Sequence, residues 1–220
     1  MKKIILTLFC LSCMASVFAQ TGKLRVAVSF DTDTKFTLMG PLSIKSLDID
    51  LTDVLYGQIK ALVDTNSFQL ITEAFPEELS AANEPTLTGI PKVSLLKNWA
   101  TKLQRKNGYD LLLIVYKPIE TNGLYSKICG FSYGLSMSKG LVFSLNNALV
   151  FNIRTMELLT TTSIKSELDF VAGFFVSDKN IPSNDPKNIN APIQMINTFN
   201  QEFAVKVNQC LKASKQELSK

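Results

Sequence analysis

The chain has 220 residues, 46% hydrophobic, 19% charged and 9% aromatic, with a formal net charge of +4. That composition suits one medium-sized globular domain; it is too apolar for disorder and too short of unbroken apolar runs to cross a membrane repeatedly. Histidine is absent, which excludes Ser-His and Cys-His nucleophiles and most catalytic zinc sites.

Residues 1–19 read as a targeting signal and stand apart from the fold. Lys2 and Lys3 form its charged start, and Ile4 to Phe9 open an apolar stretch that continues through Met14. Val17-Phe18-Ala19 then precede a cut that leaves Gln20 first. Lipid attachment at Cys13 or Cys10 competes with this reading. A lipid-modified cysteine normally follows a leucine and two small residues, whereas Cys13 follows Cys10-Leu11-Ser12, so plain cleavage is favoured. Ser12, Ser16 and Gln20 interrupt the stretch before it can span. The expectation is an exported protein of the periplasm or outer membrane, with residues 20–220 as one domain.

Cleavage removes two of the 23 basic residues against 19 acidic ones, which leaves +2. The densest basic run, Lys102-Leu103-Gln104-Arg105-Lys106, falls at a helix end, where cations complement the helix dipole. No nucleic-acid partner is expected from so modest a charge. Cys129 and Cys210 remain after cleavage, in a compartment where disulfides form. A Cys129–Cys210 bridge and two free thiols packed as small hydrophobes both fit the sequence.

In chain order, Lys23 to Phe30 alternates Leu24, Val26 and Val28 with polar or small neighbours and predicts a first strand. Asp31-Thr32-Asp33-Thr34 ends it with turn-forming residues, and Phe36 to Ile44 reads as a loop or short strand broken by Gly40-Pro41. Asp50 is placed as a helix cap with Asp53 three residues on, ahead of Leu51, Val54, Leu55, Ile59, Leu62 and Val63 at helical spacing. Phe68 to Thr72 is a short second strand. Residues 74–91, with Pro76, Pro85, Gly89 and Pro91, form an irregular connection. A second helix carries Leu95, Leu96, Trp99, Ala100 and Leu103 on one face and stops at Asn107-Gly108. Leu111-Leu112-Leu113-Ile114-Val115 is an unbroken apolar run, as expected of a central strand covered on both sides.

From Cys129 the period becomes two. Cys129, Phe131, Tyr133, Leu135 and Met137 alternate with small residues, Ser138-Lys139-Gly140 turns the chain, and Leu141, Phe143 and Leu145 continue the alternation towards Ile153. This predicts a long antiparallel hairpin. Arg154-Thr155-Met156-Glu157 makes the next turn, Leu158 to Ile164 a further strand, and residues 169–190 a long loop. Asn190 is placed as the cap of a terminal helix, with Pro192 in its first turn and Ile193, Ile196, Phe199, Phe203, Val207, Cys210 and Leu211 on one face. The fold class is α/β (α+β): one mixed sheet, a C-terminal antiparallel hairpin region and three main helices.

Few constellations carry chemistry. Asp31 and Asp33 after an apolar strand resemble the nucleophile and acid/base pair of haloacid-dehalogenase-like phosphotransferases. That family wants Thr or Val four residues after the first Asp, and Lys35 stands there; an Asx-type turn explains the pair better. Asp48, Asp50 and Asp53 lack the glycine turn and distal Glu of a calcium loop, so no metal is expected. No histidine is present to activate a serine nucleophile and there is no Walker lysine, so no cofactor is expected either. Phe174 and Phe175 form an apolar patch in the polar loop, read as a small satellite core or as a contact for a partner or membrane surface.

The run Ala148-Leu149-Val150-Phe151-Asn152-Ile153-Arg154-Thr155-Met156-Glu157-Leu158-Leu159 resembles the strand-turn-strand pattern "valine, x, Asp, x, x, Thr-Gly, x, leucine" of bacterial envelope α/β domains. These include the TolB amino-terminal domain, curli-secretion lipoproteins and lipoprotein activators of penicillin-binding proteins. Their element order is similar over about residues 23–215. Asn152 stands where those families often have Asp, and Met156 replaces the turn glycine. The resemblance implies an envelope assembly or protein-binding role without catalysis, with another envelope protein as partner, and assigns no individual functional residue. Two other readings stand beside it: a periplasmic small-ligand-binding module with a cleft between the hairpin and the 169–190 loop, and a hydrolase or phosphotransferase centred on Asp31 and Asp33.

Overall fold

The computed structural model describes residues 22–31, 35–39, 44–77, 79, 92–116, 129–133, 139–171 and 186–219. Eight described strands form one mixed sheet: β1 (Leu24–Asp31), β2 (Lys35–Met39), β3 (Ile44–Asp50), β4 (Phe68–Thr72), β5 (Leu111–Tyr116), β6 (Cys129–Tyr133), β7 (Lys139–Asn152) and β8 (Glu157–Val171). Three helices, α1 (Thr52–Leu62), α2 (Val93–Asn107) and α3 (Pro186–Leu218), complete the described chain. The α/β class and the mixed sheet agree with the sequence reading.

β7 is the spine. Along one edge it pairs with β8 over its whole length, from Lys139↔Val171 to Asn152↔Glu157. Along the other it pairs with β6 through Cys129↔Ser144 to Tyr133↔Gly140, and with β5 through Leu111↔Asn152 to Tyr116↔Asn147. Two arms therefore leave the same edge of β7. One runs β6–β2–β3 and the other β5–β1–β4, with β1 parallel to both its neighbours.

β5 earns its place at the centre through its composition. All six residues of LLLIVY are buried, and successive side chains point to opposite faces. Leu111, Leu113 and Val115 join a core with Val26 and Val28 of β1, Leu55 and Ile59 of α1, and Phe203, Val207 and Leu211 of α3. Leu112, Ile114 and Tyr116 join the opposite core with Ala27 and with Leu96, Trp99, Ala100 and Leu103 of α2. Helices thus cover both faces, which is why the strand tolerates no polar position. α2 stops where expected: Gly108 adopts φ +60°, and its N–H donates to the Gln104 carbonyl.

Local readings differ from the structure at four places. Ile44–Asp50 forms β3, antiparallel to β2, where no strand was expected; Phe36–Met39 takes the short-strand alternative as part of β2, and residues 40–43 lie outside the described residues. Asp50 ends β3, and Leu51 occupies the cap position of α1; the Asp50 carboxylate still serves the first turn, accepting the Thr52 N–H at 2.8 Å and the Thr52 hydroxyl at 2.6 Å. β8 extends beyond Ile164 to Val171, because a long partner in β7 satisfies its main chain whatever its side chains. α3 begins at Pro186, which puts Pro192 inside the helix. Proline there removes one helical hydrogen bond, and burial of Ile196, Phe203, Val207 and Leu211 outweighs that local preference. Regular structure thus enters the expected 169–190 loop from both ends, and residues 172–185 lie outside the described residues.

The small residues of β6 have a specific cause at Gly130. A methyl group there would lie 2.0 Å from the Thr37 carbonyl oxygen and 2.9 Å from its carbon, both main-chain atoms of β2. Gly130→Ala is therefore expected to push β2 off β6 and destabilise the fold by about 1–3 kcal/mol. Hydrogen exchange would show the loss confined to β2 and β3, with β5 amides still protected; uniform loss would contradict it.

The hairpin pattern also resolves. Asn152 Oδ1 accepts the Arg154 N–H at 2.9 Å and the Thr155 N–H at 3.2 Å, the acceptor role an aspartate would fill. Met156 adopts φ 59°, the left-handed conformation for which glycine is suited. Its half-buried side chain packs on the α2-side core, which offsets the strain of that backbone.

Candidate functional site

Of the residues singled out from sequence, Asp31, Cys129 and Cys210 are described, on β1, β6 and α3 respectively. Asp31 is the last residue of β1, in register with Tyr116, while Asp33, Phe174 and Phe175 lie outside the described residues. No disulfide joins Cys129 and Cys210. Cys129 is buried with Phe36, Leu51, Val142 and Ile196, whereas Cys210 borders the core of α1 and α3 and receives the Thr160 hydroxyl at 4.0 Å. Among the described residues, no three His, Cys, Asp or Glu side chains come together as a metal site.

Polar structure concentrates at three other places. At the start of β1 and β5, Asp110 is a knot. Its Oδ2 accepts the Arg25 N–H at 2.8 Å, its Oδ1 accepts Arg154 Nε at 2.8 Å, and Arg154 Nη2 bonds to the same oxygen. Beside it the Arg25 guanidinium donates to the Asn107 carbonyl and lies 5.3 Å from the Tyr109 ring centre. Tyr109 donates to Glu73 Oε1 at 2.5 Å. Burial, reinforced by that hydrogen bond and by the Glu73 charge, pushes the Tyr109 hydroxyl up to about 12. Ligands of parallel sheets sit beyond the carboxyl ends of the strands; this cluster sits at the opposite end and fastens β1, β5 and the turn after β7.

The second place is buried between β7 and α3. Asn200 Oδ1 accepts Ser144 Oγ at 2.9 Å and Asn146 Nδ2 at 3.1 Å, and all three residues are buried. Hydrogen bonding of this kind fixes the seat of a helix on a strand, because any slide would strand the polar groups.

The third place is open to solvent. A groove of about 440 Å³ runs between the end of α1 and β4, lined by Lys23, Lys60, Val63, Phe68 and Leu70, with Thr65 and Gln69. Val63 and Phe68 are buried at its base, Leu70 is half-buried, and both lysines are exposed. Above Phe68, Lys215 of α3 places its ammonium 6.0 Å from the ring centre and donates to Ser67 Oγ at 2.7 Å. Asp64 is held by the Ser67 hydroxyl at 2.5 Å and the Asn66 N–H at 2.9 Å, which keep its carboxyl below the usual carboxylate range. β4 is the terminal strand of its arm, so one of its edges is unpaired among the described residues. This groove lies at the β4 end of the sheet, away from the hairpin where the sequence placed a cleft. Its lining comes from the start of β1, the end of α1 and an edge strand, so no local motif announces it.

No family model matches the chain, and no curated protein sequence matches it. Solved structures similar to it include protein XCC0632 from Xanthomonas campestris, described with the family model DUF330, at 9% identity and a TM-score of 0.48, covering 91% of this chain and 90% of that one. The hypothetical protein CT253 from Chlamydia trachomatis is similar at 14% identity and a TM-score of 0.46, over 85% and 96% of the two chains. Lipoprotein GNA1162 from Neisseria meningitidis is similar at 13% identity and a TM-score of 0.36, over 80% and 96%. A bacterial lipoprotein is thus among the solved structures similar to the chain. With TM-scores of 0.48 or below, these likenesses assign no role to any residue.

Proposed function

We propose that the chain is an exported, envelope-associated domain with a non-enzymatic role, whose partner is another envelope protein. The observation that carries this reading is the open edge of β4 beside a groove with an apolar base and two cationic rims. Such a surface offers main-chain hydrogen bonds and side-chain pockets together, the combination used in strand-mediated recognition. The amino-terminal signal supports export, and the hairpin pattern supports the envelope setting. No described helix is long and apolar enough to cross a membrane.

Photo-crosslinking in living cells tests the role. A photoreactive residue placed singly at the exposed positions Gln69, Lys97, Thr161 and Lys212 should yield an adduct with an envelope protein from at least one of them. Absence of adducts from all four would overturn the binding role. A small-ligand module is the second reading, favoured by the groove volume, which falls in the range of ligand sites. Thermal stabilisation by a metabolite panel, abolished by Leu70→Trp, is its expected mark.

A further inference from the structure

We propose that β4 receives an extended, acidic segment of the partner as an additional strand, with the partner's side chains seated in the Lys23–Lys60 groove. This names the surface and the partner chemistry of the binding role above, and it rests on that reading.

The main chain sets the phase. The Leu24 N–H donates to the Ser67 carbonyl at 2.9 Å, and the Glu73 N–H donates to the Val28 carbonyl at 2.8 Å. With the parallel register Leu24↔Phe68 to Val28↔Thr72, these bonds turn the peptide groups of Gln69 and Ile71 towards β1. Those of Leu70 and Thr72 face away from it. The Phe68 N–H is taken by the Asp64 carbonyl at 2.9 Å, so the outward set is the Phe68 carbonyl, both groups of Leu70 and the Thr72 N–H. An incoming strand finds donors and acceptors already aligned.

The side chains select what that strand carries. Phe68 and Leu70 point to the α1 face, where they meet Val63 at the base of the groove. Every second residue of an added strand lands on that face. An apolar side chain there covers Phe68 and Leu70. Lys23 and Lys60 stand at the rim, neither in an ion pair with a described residue, and no acidic side chain lines the groove. Two exposed ammonium groups lining one groove without a described counter-ion are complementary to carboxylates. The β8 edge differs: there the Ser163 carbonyl is occupied by Lys206 Nζ of α3 at 3.1 Å. A lysine laid on a strand edge discourages pairing; at β4 Lys215 bonds the Ser67 hydroxyl and lies over the Phe68 ring, and not on a main-chain group of the strand.

Fluorescence anisotropy with the mature chain and short synthetic peptides tests the proposal. A peptide alternating Val with Glu should bind, and its Val/Lys counterpart should bind at least about tenfold more weakly. N-methylation of alternate amides should abolish binding in one register and spare it in the other, since only one set faces β4. The double substitution Lys23→Glu and Lys60→Glu, both on exposed residues, should leave the circular dichroism unchanged and reverse the preference towards the Val/Lys peptide. Failure of the Val/Glu peptide to bind, or binding indifferent to N-methylation in both registers, overturns the proposal. Crosslinks obtained in cells from Lys97, Thr161 or Lys212 but never from Gln69 would also overturn it while leaving the binding role standing.

Discussion

Asp110→Ala is expected to lower stability by about 2–4 kcal/mol in equilibrium denaturation, the larger part coming from the main chain and not from the ion pair. Asp110 is only 8% exposed. Its carboxylate accepts the Arg25 N–H, its own N–H donates to the Arg25 carbonyl at 2.9 Å, and its carbonyl accepts the Ile153 N–H at 3.0 Å. Truncation would leave the Arg25 N–H without an acceptor where water hardly reaches. The Arg154 side chain, by contrast, is 61% exposed and can return to solvent. Arg154→Ala should therefore cost only about 0.5–1 kcal/mol. Asp110→Asn, which keeps an acceptor for Arg25, should fall between the two. If Arg154→Ala proved as damaging as Asp110→Ala, the charge pair would be the dominant element and this assignment would be wrong.

Phe203→Ala should cost about 3–5 kcal/mol. Phe203 is fully buried and brings α3 into the same core as Leu113, Val115 and Val150. Removing the ring opens a cavity between helix and sheet that β5, fixed by partners on both edges, cannot close by moving. Phe199, four residues earlier, is only half-buried against the neighbouring cluster of Phe36 and Ile196, so its truncation should cost less than half as much. Urea titrations of both variants with unchanged m-values decide the matter. Equal losses at the two positions would mean that α3 is held evenly along its length and not chiefly through Phe203.

How far the sequence was legible follows from what each element depends on. The apolar run of β5, the helical faces of α2 and α3, the Gly108 stop and the hairpin period are local patterns, and they were readable. β2 was readable only as the alternative to a loop and β3 was not readable, because Gly40-Pro41 breaks the sequence pattern between them and β6, on which β2 pairs, lies far along the chain. The extension of β8 escaped for a related reason: beyond Ile164 its main chain is held by β7 whatever its side chains are. The start of α3 at Pro186 contradicts a sound local rule about proline, which burial of its apolar face overrides. The candidate site was the least legible. Lys23, Lys60 and Phe68 are each unremarkable in sequence, and only the parallel placement of β4 beside β1 brings them to one groove. Asp110, a single polar residue ahead of an apolar strand, carried no signal that distinguished it from a turn residue.

The position of β7 has a consequence for how the chain reaches its final form. Both arms of the sheet depend on a strand that begins only at Lys139, and β5, the most apolar segment between them, lacks a neighbour on one side until that strand arrives. A chain that threads out of a narrow channel from its amino terminus would expose this sticky, half-finished edge for the time taken to deliver the next segment. Non-local strand pairing is slow and vulnerable to self-association. Delivery speed and local chaperoning, rather than the strength of the finished molecule, would then govern how much of it accumulates.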